Sequence, residues 1–136
     1  MGADELIDAT KEDPVARVRE LTEGRGAEAV IAAIGHRTAN EQGLAMLAER
    51  GRYVLFASAH PEPDVTLKPN DIHNRETGVI GSVSKDKQDF YAAARLIRYG
   101  QVDLEPLIDS RYPLADVRAA MDHAVRPGVY RVIVEL

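Results

Sequence analysis

The chain of 136 residues contains no cysteine and no tryptophan, and only 5% of its residues are aromatic. Without cysteine it can form neither disulfide bonds nor thiolate metal sites. Acidic residues outnumber basic ones by 22 to 17 and no basic tract occurs, so nucleic acid is not an expected partner. The apolar runs are far shorter than the ~20 residues of a membrane-spanning helix, and no signal-peptide pattern follows Met1. These absences favour a cytoplasmic globular protein that does not enter membranes.

The residues that are present have an ordinary globular composition, with 45% hydrophobic and 29% charged. Short β-rich runs alternate with amphipathic helical windows, a pattern typical of an α/β layer fold with a parallel sheet. The length predicts a single domain over residues 1–136. The predicted elements, in order, are a strand at 5–8, a helix from 14, a strand at 27–34, a helix from 38 to 51, strands at 52–57 and 78–83, helices at 84–100 and 117–124, and a strand at 131–136.

Local signals mark where the helices begin and end. Asp13 followed by Pro14 predicts an N-cap and a first helical residue, because the missing N–H of proline is not needed there. Thr38 and Glu41 fit a capping box, in which each side chain satisfies a free backbone N–H. Ser84 is a plausible N-cap for the next long helix, and Gly100 suits the position just after its end.

The chemistry-bearing residues are best sought where strands end. Ligands of open α/β sheets bind beyond the carboxyl ends of the strands, which points to 33–36, 56–60 and 80–84. The four histidines lack metal-ligand spacing; His73 and Glu76 come closest, and a surface turn explains them better. The acidic residues Asp103, Glu105 and Asp109 are interpreted as a solvated loop with no acid–base partner.

Several motifs follow one another in a recognisable order. Gly35 stands where a family glycine ends a strand, and Arg50 replaces a glycine of "L-x-x-G-G-x-x-V". The matched stretches are GADELID at 2–8, VRELTEGRGA at 18–27, LAERGRYV at 47–54, IHNRETGVIGS at 72–82 and LIDSRYPL at 107–114. Together they resemble the medium-chain dehydrogenase/reductase family, specifically its zinc-dependent alcohol and polyol dehydrogenases.

The resemblance implies a partial Rossmann-like three-layer α/β sandwich with a mainly parallel sheet, in which 107–136 is the carboxyl-terminal return segment. It also implies hydride transfer between NAD or NADP and an alcohol carbon. The residues expected beside the cofactor are Ile34, Gly35, Phe56, Ala57, Ser58, Ile80, Gly81 and Arg131. Each has a simpler alternative: Gly35 as a turn glycine, Phe56 in the core, Arg131 as a solvated cation.

The departures from the family are as informative as the matches. The glycine-rich phosphate loop, the first two strands and the zinc ligands of the family all lie upstream of the matched stretches. We therefore expect a truncated domain with no catalytic residue or metal ligand of its own, inactive alone. The bare edge of the 29–34 strand could be covered by the amino-terminal strand, a second copy or another chain, and a homodimer or higher homo-oligomer is the first expectation. The alternatives are a non-enzymatic assembly module, or one subunit of a split dehydrogenase with an amino-terminal partner chain.

Overall fold

The computed structural model describes residues 2–83 and 86–136, and the predicted cap at Ser84 lies outside them. Contacts between residues group the chain into two compact units, residues 2–84 and 85–136. None of the helices in the described residues is long and apolar enough to cross a membrane.

The first unit is built around three parallel strands. Its strands lie side by side in the order β1-β2-β3, and both pairings are parallel. The prediction of an α/β fold with a parallel sheet is confirmed. The elements of this unit are α1 (Pro14–Leu21), β1 (Ala27–Ala32), α2 (Arg37–Ala45), β2 (Leu47–Leu55), α3 (Pro69–Arg75) and β3 (Gly78–Gly81).

The second unit pairs two parallel strands, one of which the sequence did not predict. That strand is β4, whose alternating burial places Ile108, Ser110 and Tyr112 on the less exposed face. The register places Ile108 opposite Arg131 but Ser110 opposite Val132, so Asp109 is the extra residue of a β-bulge. The elements are α4 (Lys87–Arg98), β4 (Ile108–Pro113), α5 (Val117–Ala124) and β5 (Arg131–Glu135), with 3-10 turns at Glu105–Leu107 and Leu114–Asp116.

The core of the first unit lies between the sheet and α2. Leu47 and Tyr53 are 2% and 1% exposed, and Leu44 of α2 packs against them. The Tyr53 hydroxyl donates to Oδ1 of the buried Asn40 at 2.8 Å. Gly43 makes room for the ring, because a Cβ there would stand 2.4 Å from Cε2 of Tyr53. Burial raises the pKa of the Tyr53 phenol above its ordinary value.

The predicted start of α1 is confirmed, whereas α2 differs at both ends. Asp13 caps α1 by accepting from the N–H groups of Val15 and Ala16. The capping box of α2 is wrong: His36 is the N-cap, and Glu41 instead pairs with Arg37 of the same helix. An i,i+4 ion pair within the first turns competes with the reciprocal cap for the same carboxylate.

The helix α2 also ends earlier than Gly51, because the chain enters β2 at Leu47. The Arg19 guanidinium donates to the carbonyls of Ala45 and Leu47, which satisfies the chain at this transition. Arg50, where the resemblance expects glycine, has a φ of 60°. A non-glycine residue costs about 1–2 kcal/mol in this left-handed region, which explains why a glycine suits the position.

The predicted first strand is not formed. Glu5–Asp8 has no partner in either sheet, and Leu6 is 86% exposed. A four-residue segment gains no ladder hydrogen bonds unless a neighbouring strand is present. Of the three ways to cover β1, the amino-terminal strand is therefore not the one found in this structure, where β1 forms an edge of the sheet.

Candidate functional site

The three strands of the first unit end at one edge of the sheet. Because they are parallel, Ala32, Leu55 and Gly81 present their carboxyl ends together. The main chain continues this alignment: the N–H groups of Phe56 and Ala57 donate to the Ala32 carbonyl at 3.2 and 2.9 Å. The structure thus brings the predicted segments that follow β1, β2 and β3 to a shared edge, the place where α/β sheets bind ligands.

Apolar side chains rim this edge and face solvent. Ile34, Phe56 and Ile80 are 63%, 53% and 44% exposed. The alternative that Phe56 belongs to the core is therefore wrong. Exposed apolar groups at a strand edge can contact a ring or another chain, since covering them removes apolar surface from water.

Gly35 is required by the packing of the loop after β2. A Cβ at this position would stand 2.4 Å from Cβ of Ala59 and 2.9 Å from the carbonyl oxygen of Ser58. The glycine therefore brings two loops of the sheet edge into contact. This reason is structural, and it holds whether or not a ligand also approaches the residue.

Gly81 is different, because the space beside it is open. A Cβ built there meets no heavy atom within 4 Å, so a ligand could approach the main chain of β3. The Ser58 N–H has no acceptor within residues 2–83 and 86–136, and it lies at the same edge. Open space beside a glycine and an available donor are features that a bound carboxamide can use.

A surface groove separates the loops that follow β1 and β2. Its volume is about 370 Å³, and residues 35–37 and 59–63 line it. The groove carries both acceptors and donors, including His36, Arg37, His60 and Glu62. The strand-end rule predicted from the sequence that residues of both loops lie at this edge. It did not predict how closely the two loops approach each other.

The eighth predicted cofactor residue belongs to the second unit. Arg131 begins β5, is exposed, and lines a small pocket of about 290 Å³ with Leu107, Val129 and Tyr130.

The residues that the structure describes do not fit a zinc site. The described residues contain no group of three or more His, Asp or Glu side chains able to hold a metal ion, and the sequence has no cysteine. His73 lies in α3, while Glu76 follows this helix with a φ of 52° and accepts from Nε of Arg50 at 2.7 Å. No chemical step can be assigned to zinc held by these residues.

A second polar cluster was missed by the sequence reasoning. His123 on α5 places Nε2 3.2 Å from Asp109 and Nδ1 2.9 Å from the Tyr112 hydroxyl and 3.1 Å from that of Ser110. Asp109 lies in β4 and not in a loop, and His123 is its partner, so these two parts of the interpretation of the acidic stretch are wrong. The bulge in β4 turns its carboxylate toward the histidine, and no local sequence pattern signals that contact.

Comparison with known proteins shows that most of the chain is similar to dehydrogenases in sequence and in structure. A D-arabitol-phosphate dehydrogenase from Enterococcus avium is 31% identical over 138 residues, which cover 99% of this chain and 38% of that protein. An L-threonine 3-dehydrogenase from Bacillus licheniformis is 35% identical over 119 residues, covering 85% and 34%. The crystal structure of benzyl alcohol dehydrogenase from Acinetobacter calcoaceticus superposes with a TM-score of 0.84 at 20% identity, covering 99% of this chain and 38% of that one.

The fold is that of the Rossmann-like domains of alcohol dehydrogenases. The family model described as zinc-binding dehydrogenase matches residues 1–98, and the chain belongs to this family. The resemblance predicted from the sequence motifs is thereby confirmed. The chain spans little more than a third of the length of these relatives and matches their carboxyl-terminal portion.

Proposed function

We propose that the chain forms one wall of the NAD(P) crevice of a zinc-type alcohol or polyol dehydrogenase. The observation that carries the proposal is the shared edge at which β1, β2 and β3 end, with open space beside Gly81. When bound, the cofactor accepts or gives the hydride. Ile34, Ile80 and Phe56 would exclude water from its nicotinamide end, and the Ser58 N–H would orient the carboxamide.

The proposal assigns the remaining machinery to a polypeptide segment outside these 136 residues. Gly35 would hold the two loops of the wall together. Ala57 and Gly81 would allow close approach of the cofactor. Arg131 would bind the pyrophosphate of the cofactor. Guanidinium suits phosphate because its N–H groups form a fork. Zinc and its ligands would come from the missing segment, either in one longer polypeptide or from a separate subunit of a split enzyme located in the cytoplasm.

We predict that the 136-residue chain binds NAD and NADP only weakly, with a dissociation constant above about 1 mM. N–H groups at a helix N-terminus supply much of the pyrophosphate binding in such folds, and no glycine-rich phosphate loop occurs in the sequence. Isothermal titration calorimetry with each dinucleotide checks this. Micromolar affinity would show that the chain carries a complete site.

We also predict that the chain self-associates at micromolar concentration. Within the described residues, no further strand pairs with β1 or β3 at the two sides of the three-stranded sheet. Ile31 on β1 and Val79 on β3 are 65% and 36% exposed. An open edge with exposed apolar side chains favours strand pairing between copies. A dilution series in the analytical ultracentrifuge measures the oligomeric state.

Lysine substitutions on β1 and β3 show which of the two edge strands pairs between copies. Lysine opposes edge pairing, so Ile31→Lys or Val79→Lys should shift the chain toward the monomer, according to the edge that pairs. Leu67→Lys is the matched control, because Leu67 is also exposed (45%) but lies outside the strands. A wild-type chain that stays monomeric at every concentration would contradict self-association. It would favour a partner of different sequence, as expected of the assembly-module alternative.

A further inference from the structure

Three arginines converge on a groove at the opposite edge of the same sheet, where β1 and β2 begin. The groove has a volume of about 480 Å³. It is lined by Arg19, Gly24, Arg25, Gly26, Glu28, Ala48, Glu49 and Arg75. This edge is separate from the carboxyl ends of the strands, so the proposed cofactor wall does not account for it.

The arginines are positioned by main-chain carbonyls. Nη2 of Arg19 donates to the Leu47 carbonyl at 3.2 Å, and Nη2 of Arg75 donates to the same oxygen. Two guanidinium groups therefore stand side by side on one acceptor. Among the described residues, the side chain of Arg25 is held only through Nε, which donates to the Thr22 carbonyl at 3.2 Å.

No carboxylate of the described residues pairs directly with these arginines. Arg25 and Arg75 each use one nitrogen of a guanidinium that carries five N–H donors. Most of their donors are therefore available to a ligand, and neighbouring like charges are relieved when an anion binds between them.

We propose that this groove binds the phosphate group of a small molecule. Guanidinium groups match phosphate oxygens in both charge and geometry. Glu28 and Glu49 line the same groove and oppose an anion, so they limit its affinity. Two charge-assisted hydrogen bonds correspond to a dissociation constant on the order of 1 mM for phosphate alone.

Inorganic phosphate is the probe, titrated at constant ionic strength with chloride as the balancing anion. Amide and Arg Nε resonances are followed by ¹⁵N NMR of the 136-residue chain. We expect saturable shifts at Gly24, Gly26 and Arg75. Sodium acetate at the same ionic strength should bind at least about ten-fold more weakly, because it carries one charge and two oxygens.

Substitutions that remove a positive or a negative charge test whether phosphate binding in the groove is electrostatic. Arg25→Gln and Arg75→Gln should each weaken phosphate binding about ten-fold, whereas Glu49→Gln should strengthen it several-fold. Arg37→Gln removes the same charge at the carboxyl-terminal edge of the sheet and should leave binding unchanged. If Arg75→Gln fails to fold, the exposed Arg25 decides the question.

The proposal is overturned if the chemical shifts do not saturate with phosphate. It is equally overturned if sodium chloride at the same ionic strength produces the same shifts. It is also overturned if Arg37→Gln weakens binding as much as Arg25→Gln does, or if Glu49→Gln does not strengthen it. None of these outcomes depends on NAD(P) binding or on dehydrogenase activity, so the groove is tested separately from the proposed function.

Discussion

The 136-residue chain should show no alcohol or polyol oxidation with zinc and NAD(P) added, whereas a chimera should. In the chimera, the chain replaces the matching 38% of the D-arabitol-phosphate dehydrogenase from Enterococcus avium. Holding zinc takes three or four converging ligands, and the described residues offer no group of three. Positioning of the reacting groups is worth roughly 7–11 kcal/mol, so a chain that supplies one wall loses five or more orders of magnitude in rate.

The measurement is the formation of reduced cofactor with a panel of polyols and polyol phosphates. Circular dichroism and solution size show whether the chimera has folded, and only a folded chimera enters the comparison. Turnover by the repurified chain alone would contradict its dependence on an amino-terminal segment. A folded chimera that binds cofactor but oxidises none of the panel would contradict the proposed function.

Two glycines of β3 provide a matched pair within the chimera. Gly81→Val should lower kcat/KM on the order of 100-fold, because the new side chain enters the open space at the cofactor edge. Gly78→Val changes the same strand at its other end, where a Cβ makes only an ordinary 3.8 Å contact with Arg52. Equal losses in the two variants would point to strand stability and against a cofactor wall at Gly81.

The sequence predicted those parts of the fold that depend on local signals. The cap at Asp13, the proline at the start of α1 and the strand β1 follow from residue types and spacing. It failed where distant residues intervene. The end of α2 depends on an arginine 26 residues earlier, because Nη2 of Arg19 binds the Ala45 carbonyl.

The candidate site shows the same division. The strand-end rule located Gly35, Phe56 and Gly81, since it requires only the order and direction of strands. It could not find the His123–Asp109 contact, which arises from a bulge between strands. The arginine groove was missed for a similar reason. Its three cations come from α1, the loop after it and α3, and only tertiary packing brings them to one groove and places Arg19 and Arg75 on one carbonyl.

The buried Tyr53 should carry the largest single contribution to the stability of the first unit. Its side chain is 1% exposed and fills the space between Leu47 and α2. Tyr53→Ala should lower the free energy of unfolding by about 3–5 kcal/mol, as expected for removal of a large core ring. Such a loss is comparable to the whole stability of a marginal domain.

Tyr53→Phe isolates the hydroxyl. This variant leaves Oδ1 of the buried Asn40 without its donor, so we expect a loss of about 1–3 kcal/mol. Tyr130→Phe is the control, because Tyr130 is 71% exposed and its change should remain within about 0.5 kcal/mol. Urea unfolding at neutral pH measures all three variants, and a Tyr53→Phe effect no larger than the control would mean that the buried hydrogen bond contributes nothing net.

The same hydroxyl predicts a dependence on alkaline pH. Burial raises the pKa of Tyr53 in the folded chain, while the unfolded chain titrates near the ordinary value of 10.0. Above that pH the unfolded state loses its proton first, so the stability that Tyr53 contributes at neutral pH falls as the pH rises through the folded-state pKa. Tyr53→Phe should lose less stability than the wild type between pH 9 and 11 (about one unit on either side of the ordinary value). Parallel pH profiles for the two proteins would show that Tyr53 titrates alike in the folded and unfolded chains, which would contradict a pKa raised by burial.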